Sequence, residues 1–200
     1  MRVLWRIIAL SLFLSTAASF AMPAFGLAAG AGKSGPEFSA VLTLESGQAS
    51  TRMKVNFTRN MQRVEYLPPD KGTAILREDM GVVWNLMPSK KLFLEKKLEP
   101  ENKNPLVYEP EQVTDRVQLG KEKLAGRPVI KERLKFKNEG GAWVEIFYWT
   151  SPGLGWPVRA EAVDGSWKLY YSDIKPGRQD RALFEAPAGF GKIIQPKKMR

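Results

Sequence analysis

The 200-residue chain contains no cysteine and no histidine. A Ser-His-Asp or Cys-His nucleophile therefore cannot form. Zinc lacks the ligands that proteins usually give it, and haem lacks its usual His or Cys, although Tyr and Met remain. Disulfide bonds are excluded as well, so the burial of apolar surface must stabilise the fold. These absences predict a protein with no metal site and no cofactor.

Carboxylates are the remaining candidates for acid–base chemistry. Most aspartates fall in predicted turns, where Asp is favoured because its side chain bonds to nearby backbone groups. Nothing in the spacing pairs two carboxylates across a cleft, as a glycosidase would need, and no motif supplies a nucleophile with its base. The sequence therefore predicts no catalytic residues and a protein that is not an enzyme. A carboxylate hydrolase stays as an alternative, which an open cleft with two facing acids would support.

Basic residues outnumber acidic ones by 31 to 21, which gives a formal charge of +10. Such a surface suits an anionic partner, such as lipid headgroups, acidic glycans or nucleic acid. The alternative is a charged surface that only keeps the protein soluble. Two groups are candidates for contact with headgroups or an anionic membrane surface. They are Lys90 and Lys91 beside a predicted turn, and Lys131, Arg133 and Lys135 on one face of a predicted strand.

The first 21 residues have the pattern of a secretory signal peptide. Arg2 and Arg6 precede an apolar run from residue 7 to residue 20, and small residues at 19 and 21 fit cleavage after Ala21. The run is shorter than the ~20 residues of a membrane-spanning helix, which favours cleavage over an uncleaved anchor. We therefore expect export to the periplasm, which argues against nucleic acid as a partner. Residues 22–36 are predicted to be a flexible leader, 37–194 one β domain and 195–200 a basic tail.

Apolar and polar residues alternate along most of the body, which is typical of strands with one buried face. Phe38 and Leu42, for example, alternate with Ser39 and Thr43. A helix is predicted only at residues 110–117, where Pro110 suits a first helical position. A last short strand is predicted at residues 182–185. The sum is a mainly β fold of ten or eleven antiparallel strands that begins with a six-strand meander.

Residues 73–97 depart from this alternation because their strands are apolar on both faces. Val83 and Met87 share one side, and Trp84 and Leu86 lie near the other. A sheet that is buried on one side only should alternate more cleanly. We therefore expect the second face of these strands to be covered, either by more protein or by a ligand.

Several phrases, in this order along the chain, resemble the LolA/LolB-like superfamily of periplasmic lipoprotein carriers. They are residues 61–65, 75–79, 83–88, 119–128, 155–159 and the closing Leu-Phe-Glu-Ala-Pro-Ala-Gly-Phe at 183–190. The resemblance covers roughly residues 38–194, and it is nearest to a small branch of secreted bacterial domains. It implies a strongly curved antiparallel sheet, an incomplete β-barrel, with short helices against its concave face. It also implies a concave apolar cavity that takes up acyl chains.

The resemblance leads to a binding function: uptake of lipid, or of a lipidated protein, in the concave face. The alternative is an envelope scaffold or stress-sensing interaction module with a filled core and no small ligand. Each candidate residue for the concave lining has ordinary core packing as its rival interpretation. These candidates are Phe57, Tyr66, Trp84, Leu86, Leu94, Phe136, Ile146, Tyr148, Leu169 and Tyr171.

Overall fold

The computed structural model describes residues 36–99, 113–138 and 141–194. Twelve strands and two short 3-10 helices make up this part of the chain, and none of its helices is long and apolar enough to cross a membrane. The strands are β1 (Phe38–Ser46), β2 (Ala49–Phe57), β3 (Met61–Tyr66), β4 (Thr73–Arg77), β5 (Val82–Met87), β6 (Leu92–Lys97), β7 (Val113–Leu124), β8 (Arg127–Lys137), β9 (Trp143–Ser151), β10 (Trp156–Ala162), β11 (Trp167–Pro176) and β12 (Gly191–Ile194). The 3-10 helices are Pro88–Lys90 and Arg181–Phe184.

All twelve strands belong to one sheet, in the order β12-β6-β5-β4-β3-β2-β1-β11-β10-β9-β8-β7. Neighbouring strands run antiparallel except β12, which lies parallel to β6. The chain thus forms two meanders, β1 to β6 and β7 to β11, that meet where β1 pairs with β11. The sheet does not close, because β12 and β7 are separate edges.

The sheet is strongly curved, and its concave face holds the main core. β1 and β11 lie between β2 and β10, yet the ring centroids of Phe57 and Trp156 are 4.5 Å apart. Strands in a flat sheet lie about 4.8 Å from their neighbours, so these two would be roughly 14 Å apart. The face that carries Phe57 is therefore concave. The mainly β fold and the incomplete, curved barrel expected from the sequence are confirmed.

The convex face of β3 to β6 is covered by residues 181–190, which we call the strap. Phe184 of the strap is buried against Ile75, Trp84 and Phe93 of the sheet. Asp180 starts the 3-10 helix of the strap, because its side chain accepts a hydrogen bond of 3.0 Å from the Ala182 N–H. More protein, and not a ligand, covers the second apolar face of residues 73–97.

Three sequence predictions of local structure were wrong. The part of the predicted helix at 110–117 that is described, from Val113, belongs to β7, which is exposed along most of its length. Residues 182–185 were predicted to be a strand, but the 3-10 helix Arg181–Phe184 occupies most of this stretch. The predicted strand at 182–185 was expected to be the last, yet β12 follows it and pairs with β6. The predicted signal peptide, most of the leader and the tail at 195–200 lie outside the described residues.

Candidate functional site

Eight of the ten predicted lining residues share the concave face, as the strand register shows. Most of them are closely packed. Leu94 and Phe136 are half-buried, and the other six have little exposed surface. The buried six are Phe57, Tyr66, Ile146, Tyr148, Leu169 and Tyr171.

Aromatic rings fill the middle of the concave face. Phe38 lies 5.3 Å from Phe57 and 5.5 Å from Tyr171, measured between ring centroids, and Phe57 in turn contacts Trp156. Burial raises the pKa of Tyr66 above its ordinary value, with a smaller contribution from the charge of Asp70. The centre of the concave face is therefore packed core rather than an open channel.

The structure places Trp84 and Leu86 on the convex face, so they do not share a surface with the other eight. Trp84 lies over Phe93 at a centroid distance of 5.5 Å, and its indole N–H donates to Glu95 at 2.9 Å. Lys192 of β12 bonds to the same carboxylate at 2.7 Å. These two hydrogen bonds lower the pKa of Glu95, and the bond from Lys192 has the larger effect. Trp84 and Leu86 are buried with Phe184 of the strap. The sequence pattern of residues 73–97 alone could not reveal this cover.

A cleft of about 780 Å³ opens where β10 and β11 separate. Their pairing runs only from Glu161 to Arg159, although β11 continues to Pro176 beside β1. Before Arg159, β10 turns away from β11 at a register shift next to Pro157, and Trp156 packs against Phe57. The cleft is the space that this separation leaves between the two strands.

The cleft has an apolar floor, and its lining also includes the charged residues Arg127, Arg159 and Asp173. Val158 and Tyr171 belong to the buried core and also line the cleft, so its floor is continuous with the concave face. Leu124 and Ile174, both half-buried, add apolar surface at its sides. Arg127 lies beside them on the β7–β8 turn.

The tip of the β7–β8 hairpin forms one side of the cleft. The turn depends on Gly126, whose φ of 80° is accessible to glycine and strained for other residues. Opposite this turn, Arg159 is held by Glu161 and lies 4.8 Å from the centroid of the Trp149 ring. Sequence reasoning recognised the turn but missed the cleft. The available signal was Pro157, since a proline inside a strand marks a place where the ladder is interrupted.

Two buried polar atoms lack a hydrogen-bond partner in the described part of the chain. They are Oγ of Ser151 and Nε1 of Trp156, whose residues are register partners in the β9–β10 ladder. An unpaired buried donor or acceptor costs about 1–3 kcal/mol. Neither residue lines the cleft.

The two predicted basic groups lie in different parts of the sheet. Lys90 and Lys91 are exposed at the turn between β5 and β6, whereas Lys131, Arg133 and Lys135 project from the convex face of β8. Seven strands separate β5 from β8 in the sheet order. The five residues therefore do not form one patch. Among the described residues, no cluster of three or more acidic side chains is placed to hold a metal ion.

Comparison with protein-family models found no match, and neither did comparison with curated protein sequences. Among solved structures, MucB matches with a TM-score of 0.57 at 13% identity, over 76% of this chain and 58% of that chain. The MucA/MucB complex of Pseudomonas aeruginosa matches with a TM-score of 0.54 at 12% identity, over 76% and 56%. The chain thus spans a little over half the length of MucB.

A LolA superfamily protein from Nitrosomonas europaea also matches, with a TM-score of 0.36 at 11% identity, over 78% of this chain and 92% of that chain. Over the matched residues the chain shares its fold with MucB. At these identities the likeness concerns the fold alone, and the function must be argued from the cleft and the surfaces.

Proposed function

We propose that the chain is a non-catalytic binding protein of the cell envelope that takes up an acyl chain, from a lipid or a lipidated protein, through the cleft between β10 and β11. The observation that carries the proposal is the continuity of the cleft with the apolar core at Val158 and Tyr171. Its volume falls within the roughly 300–1,000 Å³ of ligand sites that are mostly apolar with a few polar groups.

The energetics of acyl uptake suit this cleft. Each methylene that leaves water contributes about 0.8 kcal/mol, so eight buried carbons contribute several kcal/mol without polar recognition. Two guanidinium groups, those of Arg127 and Arg159, line the cleft against one carboxylate, that of Asp173, and we assign the anionic head of such a molecule to them. Of the ten predicted lining residues, Tyr171 is the one that borders the cleft. We assign its side chain a contact with the bound acyl chain.

The envelope location is supported by the signal-peptide pattern of residues 1–21. The absence of any His or Cys, and the lack of a paired-carboxylate motif, support a binding function over a catalytic one.

Native mass spectrometry of the exported protein, followed by solvent extraction, tests the proposal. A phospholipid or fatty acid near one per chain is the expected result. The double variant Leu124→Glu/Ile174→Glu puts two carboxylates into the cleft and should reduce added fatty-acid binding by about tenfold or more, since each charged group would need desolvation against the chain.

The control is Leu119→Glu/Val163→Glu, which also replaces two aliphatic residues by glutamate, at positions that are 48% and 44% exposed. Neither control residue lines the cleft. Equal binding by both double variants, or no lipid on the purified protein and none taken up when fatty acid is added, would overturn the cleft as the acyl site.

The second candidate is a protein-interaction module with no small ligand. The ring packing of Phe38, Phe57 and Tyr171 favours it, because it leaves the middle of the concave face filled. MucB, whose fold this chain shares over part of its length, was solved in complex with MucA. A protein that stays free of lipid in the mass-spectrometry experiment would support this candidate.

A further inference from the structure

The convex face of β8 and β9 carries a row of cations interleaved with aromatic rings, which we call the strip. Its members project from alternate positions of two paired strands. They are Lys131, Arg133, Lys135 and Lys137 of β8, and Trp143, Phe147 and Trp149 of β9.

Each lysine of the strip lies over a ring of the neighbouring strand. Lys131 Nζ is 4.5 Å from the centroid of Phe147 and 4.9 Å from that of Trp149. Lys135 and Lys137 lie 5.3 Å and 4.9 Å from the centroid of Trp143. These cation–π contacts hold the ammonium groups in a row while their outer N–H groups stay available to solvent or to a partner.

Four carboxylates lie on this face of β7 to β10, and three of them are engaged. Glu161 of β10, the register partner of Phe147, pairs with Arg159 at 2.5 Å. Glu145 pairs with Lys135 at 3.0 Å, which lowers the pKa of Glu145. Glu122 accepts the indole N–H of Trp149. Asp115 pairs in register with Lys135 at the edge strand. Arg133 and Lys137 are exposed, whereas Lys131 and Lys135 are half-buried, so Arg133 and Lys137 are the most accessible cations of the strip.

The shape of the strip matches a flat surface. A convex sheet touches a plane along a line, and the line that follows β8 from residue 131 to residue 137 is about 20 Å long at the usual rise per residue. All four cations lie on that line. Trp143, which is 55% exposed, stands at one end of it, and Val117, which is 36% exposed, lies beside Arg133 on β7.

We propose that the strip docks the protein on an anionic phospholipid bilayer. The cations match the charge of acidic headgroups. The exposed indole matches the membrane interface, where one side of a Trp ring meets apolar chains and its N–H stays wet. A soluble polyanion would use the charges but would leave Trp143 without an apolar partner. This surface extends the proposed function but does not depend on it, because none of the strip residues lines the cleft.

Co-sedimentation of the purified chain with vesicles tests the strip. The vesicles contain phosphatidylglycerol and phosphatidylcholine, with phosphatidylcholine alone as the neutral reference. Arg133→Glu/Lys137→Glu should weaken binding to the anionic vesicles at least tenfold, since each basic group near such a surface contributes about a fivefold gain in affinity. Trp143→Ala should weaken it a few fold and leave the thermal midpoint unchanged, because the ring is exposed.

The matched control is Lys90→Glu/Lys91→Glu, which changes the net charge by the same amount at the β5–β6 turn. It should retain most of the binding. Equal loss in both double variants would mean that only net charge matters and would overturn the strip. Binding to heparin without binding to anionic vesicles would overturn it too, in favour of a soluble polyanion. If the unaltered protein takes up no fatty acid but sediments normally with anionic vesicles, the proposed function is rejected and the strip stays intact.

Discussion

Two arginines of the sheet donate hydrogen bonds to the strap: Arg63 to the Leu183 carbonyl at 3.2 Å, and Arg77, which makes the larger number of bonds. The Arg77 guanidinium forms a two-pronged pair with Asp79, at 2.9 and 2.8 Å, and also donates to the Phe184 carbonyl at 3.2 Å and to Glu185 at 2.9 Å. The hydrogen bond to Asp79 is the main cause that raises the pKa of Arg77, and the same pair lowers the pKa of Asp79. A planar fork of donors is needed for this arrangement, and only arginine has one.

Arg77→Lys should therefore lower the free energy of unfolding by about 1–3 kcal/mol, because one ammonium cannot satisfy both Asp79 and the buried carbonyl of Phe184. Urea unfolding measures the difference. Arg52→Lys is the control, since Arg52 is exposed on β2 and its replacement should change stability by less than about 0.5 kcal/mol. A stability loss of the same size in both variants would show that the hydrogen bonds of Arg77 to Asp79 and to the strap do not stabilise the fold specifically.

At the scale of elements, the strap explains why β4 to β6 are apolar on two faces. Phe184 is fully buried, and the neighbouring strap residues Leu183, Ala186 and Phe190 are half-buried around it. β12 then continues along β6, where a Cβ on Gly191 would lie 2.9 Å from Leu92 Cδ2, so a larger residue there would displace the end of the Leu92 side chain. The closing phrase of the sequence is thus a structural element that completes the second core.

Phe184→Ala should lower the free energy of unfolding by about 3–5 kcal/mol, as expected when a buried ring is removed and leaves a cavity. Hydrogen exchange should quicken first in β4 to β6, the strands under the strap. Leu183→Ala, at the adjacent and half-buried position of the same 3-10 helix, should lower the free energy of unfolding clearly less. Uniform acceleration across all strands would instead show that the strap and the sheet unfold as one unit.

The sequence predicts the elements well where polar and apolar residues alternate, and poorly where burial depends on distant parts of the chain. The six-strand meander follows from such alternation, as in Phe38 to Leu44. Of β7, only residues 122–124 were predicted as strand, because an exposed edge strand has polar residues on both faces and therefore no periodic signal. Trp84 was assigned to the concave face because its cover, Phe184, lies a hundred residues later in the chain.

At the scale of the whole molecule, the candidate site was only partly predictable. Local alternation groups Tyr148 with Leu169 on the concave face, and the register agrees. The cleft arises from the separation of β10 and β11, which depends on where Trp156 packs and not on the pattern of either strand. The strip depends on the pairing of β8 with β9, which brings cations and rings together from two separate alternating runs.

The two proposed interactions should respond differently to salt, because one is electrostatic and the other apolar. Raising the salt concentration from about 0.1 M to 1 M shortens the screening length from about 10 Å to 3 Å. Vesicle docking by the strip, on a chain of formal charge +10, should fall steeply over this range. Fatty-acid uptake by the cleft should change little, since burial of methylenes does not depend on ionic attraction. Sedimentation and fatty-acid titration on the same preparation make the comparison. If vesicle binding and fatty-acid uptake fall in parallel as the salt concentration rises, one charged surface controls both. The assignment of two separate sites would then be wrong.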